Sequence, residues 1–485
     1  MDRYRHEKQT IPHVLEQYRE SDVLALLCGE DAISYRELLS DARKIASGIR
    51  KRGVQKGECV VLQLSRSADY VRAWLGVLYA GAVQVTFHDG WPKKLTELAV
   101  QECRPALVLD DVAVREMLAL PEPTDISPLL SELQGADPFQ IVYTSGSTGQ
   151  PKGVVNAHLT AVSRTLAAYG DPLPTYFERN CGRLLLDCSL GFVLSSFCLC
   201  LCLLNEKTVV LARRQEIRTP QAIAECARRH RADTIHATPS YFHQHRKDPA
   251  YGTLLGEMKL VMAGSEAVSE HTACLLAAAS GGETVFCYGA SELFGPAFFQ
   301  FGSEYHEGDV CFRPAPSTGE AYVLNEQGQS AQVGETGELC VGGIPGKLGG
   351  YCGSYASSPA FVEHPDYGRV YMTGDLVIKQ ADGSIRIVGR KDSMVKLYGI
   401  RIELGAIENV LRSYPGVRQA AVKVQGEGNE ARLWAWYSAE EQVKESDLRR
   451  HLSHSLPNYM VPAFWVRMKE LPLNPSGKLD RSALK

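Results

Sequence analysis

Tyr143-Thr144-Ser145-Gly146-Ser147-Thr148-Gly149-Gln150-Pro151-Lys152-Gly153-Val154 is the stretch that decides how the rest of the chain is read. The apolar run from Phe139 to Tyr143 has strand character and opens into three glycines, four hydroxyl residues and one lysine. That composition suits a loop whose backbone N–H groups wrap a polyphosphate, because glycine lets the backbone come close to an anion. A Walker A loop needs a glycine five residues before a Gly-Lys pair, and this stretch has none, so it is a different phosphate loop. A plain Gly/Ser linker would carry no strand before it and no Pro-Lys-Gly after it.

Working outward, 485 residues predict about three units of ~150 residues, or one large domain plus a small one. Hydrophobic residues at 45%, charged residues at 22% and a net charge of −4 describe an ordinary globular chain. The charge argues against nucleic acid or an anionic membrane as partner and leaves a small molecule as the default ligand. Met1 to Thr10 is polar with no apolar core, so no signal peptide is expected and the expected compartment is cytoplasmic. The fourteen cysteines include no C-x-x-C pair and read as free thiols. Cys198, Cys200 and Cys202 fall in the run Leu190 to Leu204, too short to span a bilayer at ~20 residues, which reads as a core helix.

Helical periodicity over residues 34–52 precedes a buried strand from Cys59 to Leu64. A helix from Ala68 to Tyr79, a strand from Ala80 to Val85, a helix from Leu95 to Glu102 and a strand from Ala106 to Asp110 follow. Strands alternating with helices predict an α/β fold of layered, largely parallel sheets. Leu184 to Leu186 is an apolar strand ending in Asp187, a carboxylate that costs several kcal/mol to bury unless a cation or hydrogen-bond donors meet it. Asp187 or Ser189 could cap the following helix, or Asp187 could hold a cationic ligand. His236, among apolar residues, reads as a satisfied core histidine.

Thr-Ser-Gly-Ser-Thr-Gly-x-Pro-Lys-Gly, from Thr144 to Gly153, resembles the signature of the adenylate-forming superfamily: acyl-CoA synthetases, luciferases and the adenylation domains of nonribosomal peptide synthetases. Gly389 to Leu404 resembles that family's hinge, and Leu473 to Arg481 its terminal lysine loop. Val285 to Glu292 resembles Asn-x-Tyr-Gly-Pro-Thr-Glu, with Phe286, Ala290 and Ser291 as replacements. Leu186 stands where the family commonly has an aromatic or histidine, and Gln84 to Pro92 departs from its usual Tyr-Val-Pro-Leu-Asp type of stretch.

The resemblance implies a large N-terminal α/β adenylation core, residues 1–391, and a small mobile α+β lid, residues 392–485, turning about Asp392. It implies ATP contacts from Thr144, Ser145, Gly146, Ser147, Thr148, Gly149, Lys152, Tyr288, Asp375, Arg390 and Lys478. Lys478, Glu292 and Thr148 would be catalytic, with Glu292 on Mg²⁺. Asp187 would hold the α-ammonium of an amino acid, and Cys188, Gly191, Ala237, Val261, Ala263, Cys287, Gly295 and Pro296 would line its side-chain pocket. None of these lining residues is charged, and the small ones suggest room for a bulky neutral side chain.

The implied reaction makes an aminoacyl-adenylate and pyrophosphate from ATP. The acyl group then passes to the phosphopantetheine thiol of a separate carrier protein, since the sequence ends seven residues after Lys478. An acyl- or aryl-CoA synthetase is the alternative, but it gives Asp187 no purpose. A non-catalytic nucleotide-binding relic would be expected to have lost Lys478, Glu292 or Lys152, and all three are present.

Overall fold

The computed structural model describes residues 9–88, 91–144, 151–266, 268, 270–305, 310–342, 349–353, 358, 360–391, 394–426, 430–439, 443–472 and 481–484. Among the expected site residues, Ser145, Gly146, Ser147, Thr148, Gly149, Asp392 and Lys478 lie outside these. Among the described residues the strands form a 14-stranded sheet, a six-stranded sheet, a three-stranded sheet and a two-stranded hairpin. The two larger sheets, with their helices, form the large domain, and the three-stranded sheet belongs to the small α+β domain.

The centre of the large sheet is parallel: Thr208–Leu211, Arg183–Leu186, Thr234–Ala237, Leu260–Gly264 and Glu283–Ala290 lie side by side. Side chains alternate across a strand, and both faces here are covered, which is why these segments read as continuous apolar runs. Leu184, Leu186, Leu260, Met262 and Val285 pack into the core that contains the helix Val193–Leu203. Leu185, Ile235, Ala237, Val261, Ala263 and Phe286 pack into the core on the opposite face. Cys198, Cys200 and Cys202 are all buried in that apolar helix.

The six-stranded sheet carries the strand Pro138–Thr144, which leads into the expected phosphate loop, between Val83–Thr86 and Lys152–Ala157. Thr144 pairs with Lys152 across the loop's two ends. The expected strand from Ala80 starts later, at Val83, because Gly81 turns the chain at φ +70 just after the helix Ala68–Tyr79. Glycine accepts that left-handed backbone without a Cβ clash. The helix Tyr35–Lys51 opens with a reciprocal cap between Ser34 and Glu37, so its start is written in four residues.

The small domain has its own core, built from Ile402, Ile407, Leu411, Val422, Leu433 and Leu448 among others. The helices Leu404–Arg412 and Glu445–Ser455 flank the sheet of Val417–Gln425, Arg432–Ala439 and Phe464–Arg467. Among the described residues no helix is long and apolar enough to cross a membrane.

Candidate active site

Parallel strands end together, and the crevice outside their carboxyl ends is where such folds hold ligands. A cavity of about 340 Å³ lies there. Asp187 follows one strand, Thr238 the next and Ser265 the one after, and Gly289, Ala290 and Ser291 come from the end of Glu283–Ala290; all line the cavity. Thr144, at the end of the strand that leads into the glycine-rich stretch, lines it too, and its Oγ1 is buried without a hydrogen-bond partner among the described residues.

Asp187 does not cap the following helix: that helix begins after Phe192 with no side-chain cap. Its carboxyl sits on the cavity wall, where burial pushes it up to about 6 against the pull of Arg66 and of the Asp187 and Cys188 backbone N–H groups. Arg66 itself clamps the strand ends, donating to the carbonyls of Cys188, at 2.7 Å, and of Ala212 and Leu186. Its sequence gives no hint of this, because the partners lie more than a hundred residues away.

Tyr288, Asp375 and Arg390 come together. The Tyr288 hydroxyl donates to Asp375 Oδ2 at 2.5 Å, and Arg390 Nη1 lies 2.7 Å from Asp375 Oδ1. Each carboxylate oxygen keeps a second lone pair for a ligand hydroxyl. The Tyr288 ring is buried among Phe298 and Phe312, and Lys396 Nζ lies 5.5 Å from its centre. Lys396 also donates to the Gly289 carbonyl at 3.2 Å, and burial lowers its pKa.

Glu292 is 1% exposed. Its Oε1 accepts from Tyr351 at 2.6 Å and from Arg401 at 3.0 Å, while Oε2 is buried with no hydrogen-bond partner among the described residues. Burial alone would raise this carboxyl, but Arg401 and Tyr351 outweigh it and hold the group below the usual carboxylate range. An ionised carboxylate with one orphaned oxygen suits a hard divalent cation such as Mg²⁺. Among the described residues no group of three or more His, Cys, Asp or Glu side chains could hold a metal.

Arg401 and Lys396 belong to the hairpin Met394–Leu397 and Ile400–Glu403. Met394, Tyr398, Gly399 and Ile400 from this hairpin complete one wall, and the Gly399 N–H donates to Glu266. Gly399 has φ +74, and a Cβ there would meet the Thr238 methyl at 2.9 Å, so glycine lets the hairpin enter. From the other side Trp91 donates to the Tyr459 hydroxyl at 3.3 Å, and both line the cavity.

Of the expected side-chain pocket, Cys188, Cys287, Gly295 and Pro296 line the cavity. Ala237, Val261 and Ala263 are at most 1% exposed and face the opposite core. Gly191 does not open space: a Cβ there would meet the His88 backbone N at 2.5 Å and the Phe87 carbonyl carbon at 2.6 Å. The room expected above it is filled by backbone, and a larger residue is excluded.

His236 departs from its expected role as a satisfied core residue. Strand alternation turns it to the face opposite Ala237, and it lines the cavity. Alternation was the signal that could have separated the two, once the core side of the neighbouring strands was fixed.

The family model of the AMP-binding enzyme matches residues 15–352, and that of the AMP-binding enzyme C-terminal domain matches residues 406–478. A dimodular nonribosomal peptide synthase of Bacillus subtilis (strain 168) is 32% identical over 495 residues, covering 95% of this chain. The chain spans 20% of that relative's length, so the match is to one segment of a larger protein. Among solved structures, an artificially fused adenylation-PCP di-domain NRPS from Klebsiella oxytoca superposes with a TM-score of 0.80 at 22% identity, covering 96% of this chain and 95% of that one. The o-succinylbenzoate CoA synthetase MenE from Bacillus subtilis gives a TM-score of 0.81 at 19% identity, covering 99% and 98%. At such identities these two likenesses speak to the fold.

Proposed function

The chain belongs to the AMP-binding enzyme family, and from that premise we propose that it activates an amino acid as its adenylate and passes the acyl group to the phosphopantetheine thiol of a carrier protein. Asp187 carries this reading. A carboxylate placed on the cavity wall at the expense of burial is a poor choice for a substrate without a cation and a good one for an α-ammonium.

The remaining residues divide the work. Thr144 and Lys152, with the loop between them, hold the triphosphate through hydroxyl, ammonium and backbone donors. Asp375, oriented by Tyr288 and Arg390, accepts from the ribose hydroxyls. Glu292 would hold Mg²⁺, which when bound neutralises charge on the phosphates. Lys478 neutralises the substrate carboxylate and the α-phosphate, which otherwise repel, and stabilises the charge that builds as the carboxylate oxygen attacks phosphorus and pyrophosphate leaves. In the second step the thiol attacks the acyl carbon and AMP departs. Lys478 must by then have withdrawn, and rotation of the small domain about Asp392 removes it. The hairpin wall supports this arrangement, because a site bounded by the small domain is rebuilt when that domain turns.

The test is ATP–pyrophosphate exchange across the proteinogenic amino acids and their desamino analogues. Exchange that depends on the amino group is the expected result. Desamino acids activated equally well would turn the reading toward an acyl- or aryl-CoA synthetase.

A further inference from the structure

His236 is 8% exposed, lines the cavity, and has no hydrogen-bond partner among the described residues. The same cavity is lined by the apolar or weakly polar Cys188, Phe192, Leu194, Cys287 and Pro296. Burial lowers the imidazole to about 4, so near neutral pH it is uncharged and offers one N–H donor and one bare nitrogen acceptor. A polar group on a cavity wall costs free energy when a bound ligand shuts it off from water without pairing it, and a ligand that pairs with it avoids that cost.

We infer that His236 selects the substrate side chain, and that the substrate is an amino acid whose side chain ends in a neutral hydroxyl or amide. The inference rests on the amino-acid reading of Asp187 and goes beyond it, since Asp187 addresses the backbone ammonium shared by all amino acids. The strand ending before Asp187 pairs directly with the strand carrying His236, with Leu185 beside Ile235. Neighbouring strands lie ~4.8 Å apart, so an amino acid anchored at Asp187 reaches His236 with a side chain of roughly two to four heavy atoms. A neutral imidazole gives no counter-charge, so acidic and basic side chains gain nothing from it that would offset their desolvation. An apolar side chain of equal size leaves the imidazole unpaired, the situation in which sites built around a hydrogen bond discriminate most strongly.

The experiment compares isosteric pairs in ATP–pyrophosphate exchange: threonine with valine, asparagine with leucine, glutamine with methionine. At least one polar member should exceed its apolar partner by roughly tenfold or more in kcat/KM. His236→Leu should reduce that ratio to about one or invert it, while His236→Asn, which keeps a donor and an acceptor, should retain part of it. Without ATP, the favoured amino acid should shift the His236 imidazole nitrogen resonances of the wild-type protein, and its apolar isostere should not. All three pairs within threefold of one another, or a ratio unchanged in His236→Leu, would overturn the inference while leaving amino-acid activation standing. If His236→Leu does not fold, the wild-type ratios and the nitrogen resonances decide alone. Absence of exchange with every amino acid would overturn the amino-acid reading itself, and this inference with it.

Discussion

Replacing Asp187 with Asn should make the protein more stable and a poorer enzyme at the same time. The carboxyl titrates at about 6 in the folded state against a reference of 3.8, because burial disfavours its charged form more than Arg66 favours it. A raised carboxyl has a definite sign: the fold bears no cost below pH 3.8, the cost grows as pH rises from there to 6, and above 6 it is complete. At about 1.4 kcal/mol for each tenfold in the ionisation constant, the cost is about 3 kcal/mol at pH 8 and about half that at pH 5. Asn carries no charge and avoids it, though losing one acceptor oxygen near the backbone N–H groups takes back about 1 kcal/mol. Asp187→Asn should therefore be stabilised by about 2 kcal/mol at pH 8 in chemical denaturation, with the gain shrinking toward pH 5. In exchange assays the same variant should lose at least roughly tenfold in kcat/KM for the amino acid, since a charge-assisted hydrogen bond to the ammonium is gone. A variant that is less stable than wild type at pH 8, or that exchanges undiminished, would refute the assignment of Asp187 as a strained, ligand-awaiting carboxylate.

Lys478→Ala should slow adenylate formation by orders of magnitude while leaving transfer from a supplied adenylate largely intact; equal loss in both half-reactions would remove Lys478 from the role given to it. Gly191→Ala should cost about 1–3 kcal/mol in denaturant titration, because the new Cβ meets backbone 2.5 Å away that cannot swing aside, and a neutral result would mean that the 87–88 segment moves freely. Arg401→Leu leaves Glu292 buried without its cation, so it should destabilise the protein by about 3–5 kcal/mol at pH 8 and by less as pH falls and Glu292 takes up a proton. An equal loss at pH 8 and pH 5 would show that the ion pair is not the cause.

Reading the sequence alone reached the architecture, because local signals were dense and mutually consistent. The reciprocal cap at Ser34 and Glu37 marks a helix start, the run from Phe139 to Tyr143 a strand, and the alternation of the two a layered α/β chain. It also picked out Asp187, since a carboxylate at the end of an apolar strand is conspicuous without any coordinates. Tyr288, Asp375 and Arg390 were found by motif, and the fold joins them into one hydrogen-bonded group.

What the sequence could not decide was which way neighbouring side chains face and what fills the space beside a small residue. A shift of one position moves a strand residue to the other side of the sheet, so Ala237 and His236 exchange core and cavity on the strength of packing alone. Gly191 looked like vacant room and is a point of close backbone approach, because the segment of Phe87 and His88 that excludes a Cβ lies about a hundred residues earlier. Arg66, which clamps the strand ends beside the site, and Tyr459, which lines it, gave no local sign of doing so, since each acts on partners brought near only by the packing of distant elements. Chemistry that depends on a residue's own type and its immediate neighbours was legible in one dimension. Chemistry that depends on which face, which neighbour and which cavity is settled by tertiary packing.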